Sequence, residues 1–313
     1  MKHVISCEQY SKKSLDELFK LTDDIIENKK KYINSLEDKI ITTLFYEPST
    51  RTRLSFETAV QRLGGRIVST ENAKEASSAV KGEILEDTIR TVAGYADVII
   101  IRHGDVKSSE IAASVSSIPI INAGAGKGEH PTQALLDMYT IKNKKEKFDG
   151  LKVAVSGDLA HGRTIHSLVK LLALYDDVKI YGVSRDYFKL PEEYIKYLSD
   201  RDTEYIECSE FVDLPKETDI IYHTRTQLER IEDKSIKIKE LIINKKVLDT
   251  FSKNTFVMHP LPRVAEIDAD IDNDPRAIYF EQAHNGMYVR MGLLHQVVNQ
   301  DESEKENVKT FTR

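Results

Sequence analysis

Leu44-Phe45-Tyr46-Glu47-Pro48-Ser49-Thr50-Arg51-Thr52-Arg53 is the stretch on which the fold turns. The apolar, β-branched run Ile40–Phe45 enters it as a strand. Pro48 has no amide hydrogen to give a ladder and ends that strand. An amphipathic pattern over 53–63 then reads as a helix. Ser49 and Thr50 are good cap residues, and the first amides of a helix have no partner inside it. Such an end draws anions through its amides and its dipole. Arg51 and Arg53 sit in this first turn, where a cation costs roughly 0.3–1 kcal/mol. A bound anion would remove the conflict, so hydroxyls, amides and guanidinium read together as a phosphate cradle. The competing reading is a simple cap with solvated arginines. The pattern Gly-x-x-x-x-Gly-Lys is missing, so a nucleoside triphosphate is not implied.

Outward from this stretch the alternation repeats. Further strands read at 66–69, 97–102 and 118–122, and a second set at 152–156, 178–183, 219–224 and 255–259. Amphipathic helices read at 83–95, 131–142 and 163–175. Strand, helix, strand, helix implies parallel sheets with helices on both faces. The chain has 313 residues, which is long for one core and natural for two domains. The polar run 142–150 separates the two strand sets and marks the boundary. A last apolar helix at 285–298 precedes a polar tail, 299–313, expected to fray.

The net charge of −6 argues against a nucleic-acid partner, though a few local arginines can still hold an anion. Cys7 and Cys208 have no partner spacing, which suggests neither a zinc site nor a disulfide framework. No apolar run approaches a membrane span, and the first residues carry no signal-peptide core. The expectation is a cytoplasmic protein with no membrane partner.

Three motifs, in this order, resemble those of the aspartate/ornithine carbamoyltransferase family. They are Ser49-Thr50-Arg51-Thr52-Arg53, His130-Pro131-Thr132-Gln133 and His259-Pro260-Leu261-Pro262-Arg263. The similarity covers nearly the whole chain and lies on the aspartate side. Ornithine enzymes carry His-Cys-Leu-Pro, and here Pro260 stands where their cysteine would be. Arg225-Thr226-Gln227 resembles the aspartate branch's carboxylate site, and an arginine there would repel a cationic ornithine. The resemblance implies an α/β protein of two domains, each a parallel sheet flanked by helices, with the C-terminal helix returning to the first domain. Its domains would be 1–145 for carbamoyl phosphate and 146–285 for aspartate, with 286–313 as the returning helix and tail. It also implies a homotrimer with shared active sites, no cofactor and no metal. A regulatory subunit is left open.

By this resemblance Ser49, Thr50, Arg51 and Thr52 bind the phosphate, together with Ser77 and Lys81 from a neighbouring subunit. Thr52, Arg102 and His130 would donate to the carbamoyl oxygen as charge builds on it. Arg102 ends a strand, and the carboxyl ends of parallel strands are where open sheets bind ligands. Gln133 would meet the carbamoyl nitrogen. Arg163 would take the α-carboxylate of aspartate, and Arg225 with Gln227 the β-carboxylate, with Lys81 also near it. The stiff turn Pro260-Leu261-Pro262 would offer backbone carbonyls to the attacking amine, with Pro260 and Leu261 touching carbamoyl phosphate and Leu261 also aspartate. Glu47 and Glu229 read equally as surface carboxylates or as partners that orient the arginines.

The family often has Lys-Tyr or a similar pair where this chain has Ala160-His161. Gly157-Asp158-Leu159-Ala160-His161-Gly162-Arg163 also stands where a dinucleotide fingerprint would, but Leu159 replaces its second glycine. A dehydrogenase is therefore disfavoured. An ornithine or other amine carbamoyltransferase and a silent homologue serving as a scaffold stay as alternatives.

Overall fold

The computed structural model describes residues 2–73, 82–227 and 239–310, with 300–310 described by their backbone. The chain forms two compact units, Met1–Leu135 with Gly286–Arg313, and Leu136–Asn285.

The first unit holds a four-stranded parallel sheet in the order β2-β1-β3-β4. Its strands are β1 (Ile40–Phe45), β2 (Arg66–Thr70), β3 (Val98–His103) and β4 (Ile120–Ala125). Val98, Ile99, Ile100 and Ile101 of β3 are all fully buried, as expected of a central strand covered on both faces. The helices are α1 (Lys12–Glu27), α2 (Thr50–Arg62), α3 (Leu85–Val92) and α4 (Ser108–Val115), while α5 (Pro131–Lys145) starts in this unit and continues into the second. Helix α1 starts at the capping Ser11 and buries Leu15, Leu18, Phe19, Thr22 and Ile25 along one stripe.

The second unit holds a five-stranded parallel sheet in the order β7-β6-β5-β8-β9. Its strands are β5 (Lys152–Ser156), β6 (Lys179–Val183), β7 (Glu204–Cys208), β8 (Ile220–His223) and β9 (Phe256–Met258). Helices α6 (Arg163–Leu172) and α7 (Glu192–Ser199) belong to it. Ala154, Val183, Phe211, Ile221, Leu241 and Val257 lie in its core.

The last helix, α8 (Tyr279–Thr310), carries the chain back to the first unit. There His295 meets Tyr32 edge-on at 5.2 Å, and the Arg290 guanidinium lies 4.9 Å from the Phe56 ring centre. A Cβ at Gly292 would come within 3.0 Å of Thr22 Oγ1, so the helix approaches α1 closely.

In each sheet the first strand lies inside, and later strands add on both of its sides. The order therefore reverses between β1 and β3 in one unit and between β5 and β8 in the other. Crevices at the carboxyl ends of strands form at such switch points.

Both sheets are parallel, as the strand–helix alternation implies. The structure adds α1, α4, α7 and β7, to which the sequence reading assigned nothing. Helix α3 is shorter than the stretch 83–95, and α8 keeps helical backbone to Thr310 where a frayed tail was expected. Among the described residues no helix is long and apolar enough to cross a membrane.

Candidate active site

In the first unit the exits of β1, β3 and β4 are tied to one another. Phe45 and Arg102 stand in register across β1 and β3, and the Tyr46 amide donates to the Arg102 carbonyl at 2.8 Å. The Gly126 amide donates to the His103 carbonyl at 2.9 Å. Gly126 has φ +48°, and a Cβ on it would lie 2.6 Å from the Gly104 carbonyl oxygen, so this close approach needs glycine. These bonds gather the start of α2, Arg102 and the segment before His130 at the switch point.

Ser49 is the N-cap of α2, but its side chain makes no capping hydrogen bond. The expected cap is thus right in position and not in bonding, and the first-turn amides get no help from this hydroxyl. Thr52 is buried in that turn, while Arg51 is solvent-exposed. The protein bulk beside the Arg51 guanidinium pushes its pKa down through desolvation. An anion bound there would offset that cost.

Arg53 corrects the dipole argument. Its Nη2 lies 2.9 Å from Glu71 Oε2, its Nε 3.9 Å from Glu57 Oε1, and its Nη1 donates to Ser69 Oγ at 3.4 Å. The protein's own carboxylates answer this cation, so its place in the first turn demands no ligand.

The Arg102 side chain is mostly buried, with Nη1 donating to the Ala123 carbonyl at 3.3 Å and Nε 3.8 Å from Glu47 Oε2. Glu47 is thus beside an arginine of the site, one of the two roles open to it. His130 is buried immediately before α5, with Thr132 Oγ1 3.4 Å from its Nδ1, and Gln133 is buried in the first turn. The preceding Glu129 was not singled out by sequence. Its carboxylate accepts from Ser6 Oγ at 3.0 Å and from the Cys7 amide at 2.6 Å. The amino-terminal segment thereby anchors the approach to His130.

In the second unit, Arg163 is the first residue of α6, after the exit of β5, and Arg225 and Gln227 follow β8. They flank the second switch point. Gly157 has φ +102°, and a Cβ on it would lie 2.1 Å from the Thr224 carbonyl oxygen. The fully buried Asp158 accepts from the His161 amide at 2.9 Å, and His161 Nδ1 lies 3.1 Å from it. The departure Ala160-His161 therefore has a local partner of its own.

Beyond β9 the chain turns at Pro260-Leu261-Pro262, with a cis Leu261–Pro262 bond and φ +55° at Leu261. A non-glycine residue holds such a φ only with outside support. His259 gives it, since its Nδ1 accepts the Leu261 amide at 2.8 Å. The proton of His259 then sits on Nε2, which donates to Glu266 Oε1 at 2.9 Å. Glu266 Oε2 accepts the amides of Val264 and Ala265, each at 3.0 Å. Burial raises the pKa of Glu266, but bonds from His259 and nearby amides outweigh it and leave the carboxyl at about 2. Glu266 was also missed by sequence, because its partners are chosen by the shape of the turn. Arg263, the last residue of the third motif, pairs with Asp272 and Tyr279 and braces the start of α8. Ser77, Lys81 and Glu229 lie outside the described residues.

Fold and site together define a two-domain α/β protein with a helix start bearing Arg51 at the exit of one sheet and the pair Arg163 and Arg225 at the exits of the other. The profile of the aspartate/ornithine carbamoyltransferase carbamoyl-P binding domain matches residues 2–143, and that of the family's Asp/Orn binding domain matches 149–297. The chain belongs to this family. It is 48% identical over 297 residues to a chloroplastic aspartate carbamoyltransferase of Pisum sativum, covering 93% of this chain and 77% of that one. The catalytic subunit of Methanocaldococcus jannaschii aspartate transcarbamoylase superposes with a TM-score of 0.88 at 43% identity, covering 96% of this chain and 99% of that one. Aspartate transcarbamoylase of Trypanosoma cruzi in complex with N-(phosphonacetyl)-L-aspartic acid superposes with a TM-score of 0.89 at 37% identity, covering 95% and 96%.

Proposed function

We infer that the protein transfers the carbamoyl group of carbamoyl phosphate to the amine of L-aspartate, giving N-carbamoyl-L-aspartate and phosphate in pyrimidine biosynthesis. The observation that carries this is the placement of two different charge patterns at two switch points in a member of this family. A helix start with Arg51 suits a phosphate, and Arg163 with Arg225 suits a dicarboxylate. Residues 1–145 would take carbamoyl phosphate, 146–285 aspartate, and 286–313 the supporting return.

Ser49, Thr50 and Arg51 hold the phosphate, joined by Ser77 and Lys81 of a neighbouring subunit. Thr52, Arg102 and His130 donate to the carbamoyl oxygen, and Gln133 meets the carbamoyl nitrogen. The neutral amine of aspartate forms a C–N bond at the carbamoyl carbon, passing through a tetrahedral oxyanion. Its charge is stabilised by the three donors. The C–O bond to phosphate then breaks, and the departing phosphate takes the amine proton. Arg163 holds the α-carboxylate, and Arg225 with Gln227 the β-carboxylate. Lys81 reaches both substrates, and the carbonyls of Pro260 and Leu261 align the amine. Positioning and electrostatics supply the rate, with no side chain bonded covalently to a substrate.

The reading includes a homotrimer. Leu54 on α2 and Val68 on the edge strand β2 are each about half exposed, and such exposed apolar side chains are compatible with contact to a second copy. Mixing Arg51→Ala and Lys81→Ala proteins under subunit exchange should restore activity, and exchange without recovery would refute the shared site. The M. jannaschii relative is described as a catalytic subunit, which supports a separate regulatory chain as a further partner. A cytoplasmic location belongs to the proposal, although the pea relative is chloroplastic.

N-(phosphonacetyl)-L-aspartic acid, which joins a phosphonate to an aspartate, tests the assignment. It should raise the melting temperature of this chain and compete with carbamoyl phosphate. No shift at saturating inhibitor would count against the paired sites. Ornithine or another amine as acceptor is the second reading, and Arg225 and Pro260 weigh against it.

A further inference from the structure

The ends of β5 and β8 are joined by more than their ladder. Ser156 and His223 are the last residues of these strands, stand in register and are fully buried. Ser156 Oγ lies 2.7 Å from His223 Nδ1, and His223 Nε2 lies 3.1 Å from the Leu241 carbonyl oxygen. A carbonyl can only accept, so Nε2 carries the proton and Nδ1 accepts from the serine hydroxyl. One residue further, Thr224 donates its amide at 2.9 Å and its hydroxyl at 3.1 Å to the Ser156 carbonyl. The His223 ring meets His259 edge-on at 6.4 Å, and His259 in turn holds the Leu261 amide. A polar row, Ser156, His223 and His259, thus crosses the exits of β5, β8 and β9.

Two apolar side chains would fill this space without desolvating a hydroxyl and an imidazole. A directional bond gives what they cannot, a fixed distance between two strand ends. From those ends run the segments that carry Arg163 and Arg225.

We propose that Ser156 and His223 are positioning residues for aspartate, setting through their hydrogen bond the separation of Arg163 and Arg225. The proposal rests on the reading of those arginines as carboxylate-binding. It adds two residues that touch no substrate and act through the backbone at the switch point.

The two ring nitrogens can be tested apart. In His223→Asn the amide oxygen falls near the place of Nδ1 and can still accept from Ser156. In His223→Gln the amide reaches toward Leu241 and the serine bond is lost. Steady-state rates are measured with carbamoyl phosphate and aspartate each varied. With His223→Gln and with Ser156→Ala, the KM for aspartate should rise about tenfold, the scale of one buried hydrogen bond. The KM for carbamoyl phosphate should stay within about twofold, because the side chains read as holding it, Ser49 to Thr52, Arg102 and His130, belong to the other sheet. His223→Asn should restore the aspartate KM, and the double variant Ser156→Ala/His223→Gln should be no worse than either single one.

Equal rises in both KM values, or a lowered melting temperature with an unchanged aspartate KM, would overturn the proposal and leave a purely structural pair. Should His223→Gln not fold, Ser156→Ala against His223→Asn separates the same two outcomes. An unmodified chain that makes no product from aspartate would sink the functional reading first and this proposal with it.

Discussion

Acid should destabilise this protein through His223. Its imidazole is fully buried, and burial first, then the neighbouring His259, lowers its pKa from 6.5 to about 4. The unfolded chain then binds a proton that the folded chain refuses, so stability rises with pH across this window. The contribution is fully present above pH 6.5, declines as pH falls, and is exhausted near pH 4. The fall from 6.5 to about 4, at about 1.4 kcal/mol per pH unit, sets a ceiling of roughly 3 kcal/mol. Between pH 7 and pH 5 the same relation gives a loss of roughly 2 kcal/mol. Other histidines and carboxylates also titrate, so the informative quantity is the difference between the parent and His223→Asn, which cannot titrate there. Urea unfolding followed by circular dichroism suits a chain without tryptophan. The variant should lose about 2 kcal/mol less than the parent between pH 7 and pH 5. Equal losses in the two proteins would refute the claim that His223 is held neutral by its burial.

Further expectations follow from the two sites. His130→Ala should lower kcat by about a hundredfold, the scale of one oxyanion donor, and wild-type kcat would end that role. Arg225→Lys keeps the charge but loses the planar fork, so the aspartate KM should rise about tenfold in steady-state assays while that for carbamoyl phosphate holds. Glu266→Ala leaves the buried Nε2–H of His259 without its acceptor. It should cost about 1–3 kcal/mol in urea unfolding and also raise the aspartate KM through the Leu261 turn. Glu129→Ala, which cuts the tether from Ser6 and Cys7, should lower kcat without changing the KM for aspartate.

The parallel architecture was legible because strands such as Val98–Ile101 are apolar throughout and the helices between them are periodic. The edge strand β7 escaped notice because Glu204 and Glu207 interrupt its apolar residues, and it pairs on one side alone. Helix α1 did carry a readable signal, Ser11 as cap and Leu15, Leu18, Phe19, Thr22 and Ile25 on one stripe. The short α4, with small residues and serines, carried little.

Of the site, Arg102 and the residues of the helix start were readable because strand ends and helix starts are local features. Arg53 was misjudged because Glu71, its closest counter-ion, is 18 positions away and meets it only through the fold. The bonds of Ser156 to His223 and of Glu129 to Ser6 span 67 and 123 positions. Only the strand order brings such pairs together.

Carbamoylation of aspartate by this chain can be measured outright. The most direct test supplies the pure protein with carbamoyl phosphate and either aspartate or ornithine, and scores the ureido product. N-carbamoyl-L-aspartate should form with aspartate, and nothing above background with ornithine. Product from ornithine alone, or from neither amine while carbamoyl phosphate still binds, would contradict the proposed function.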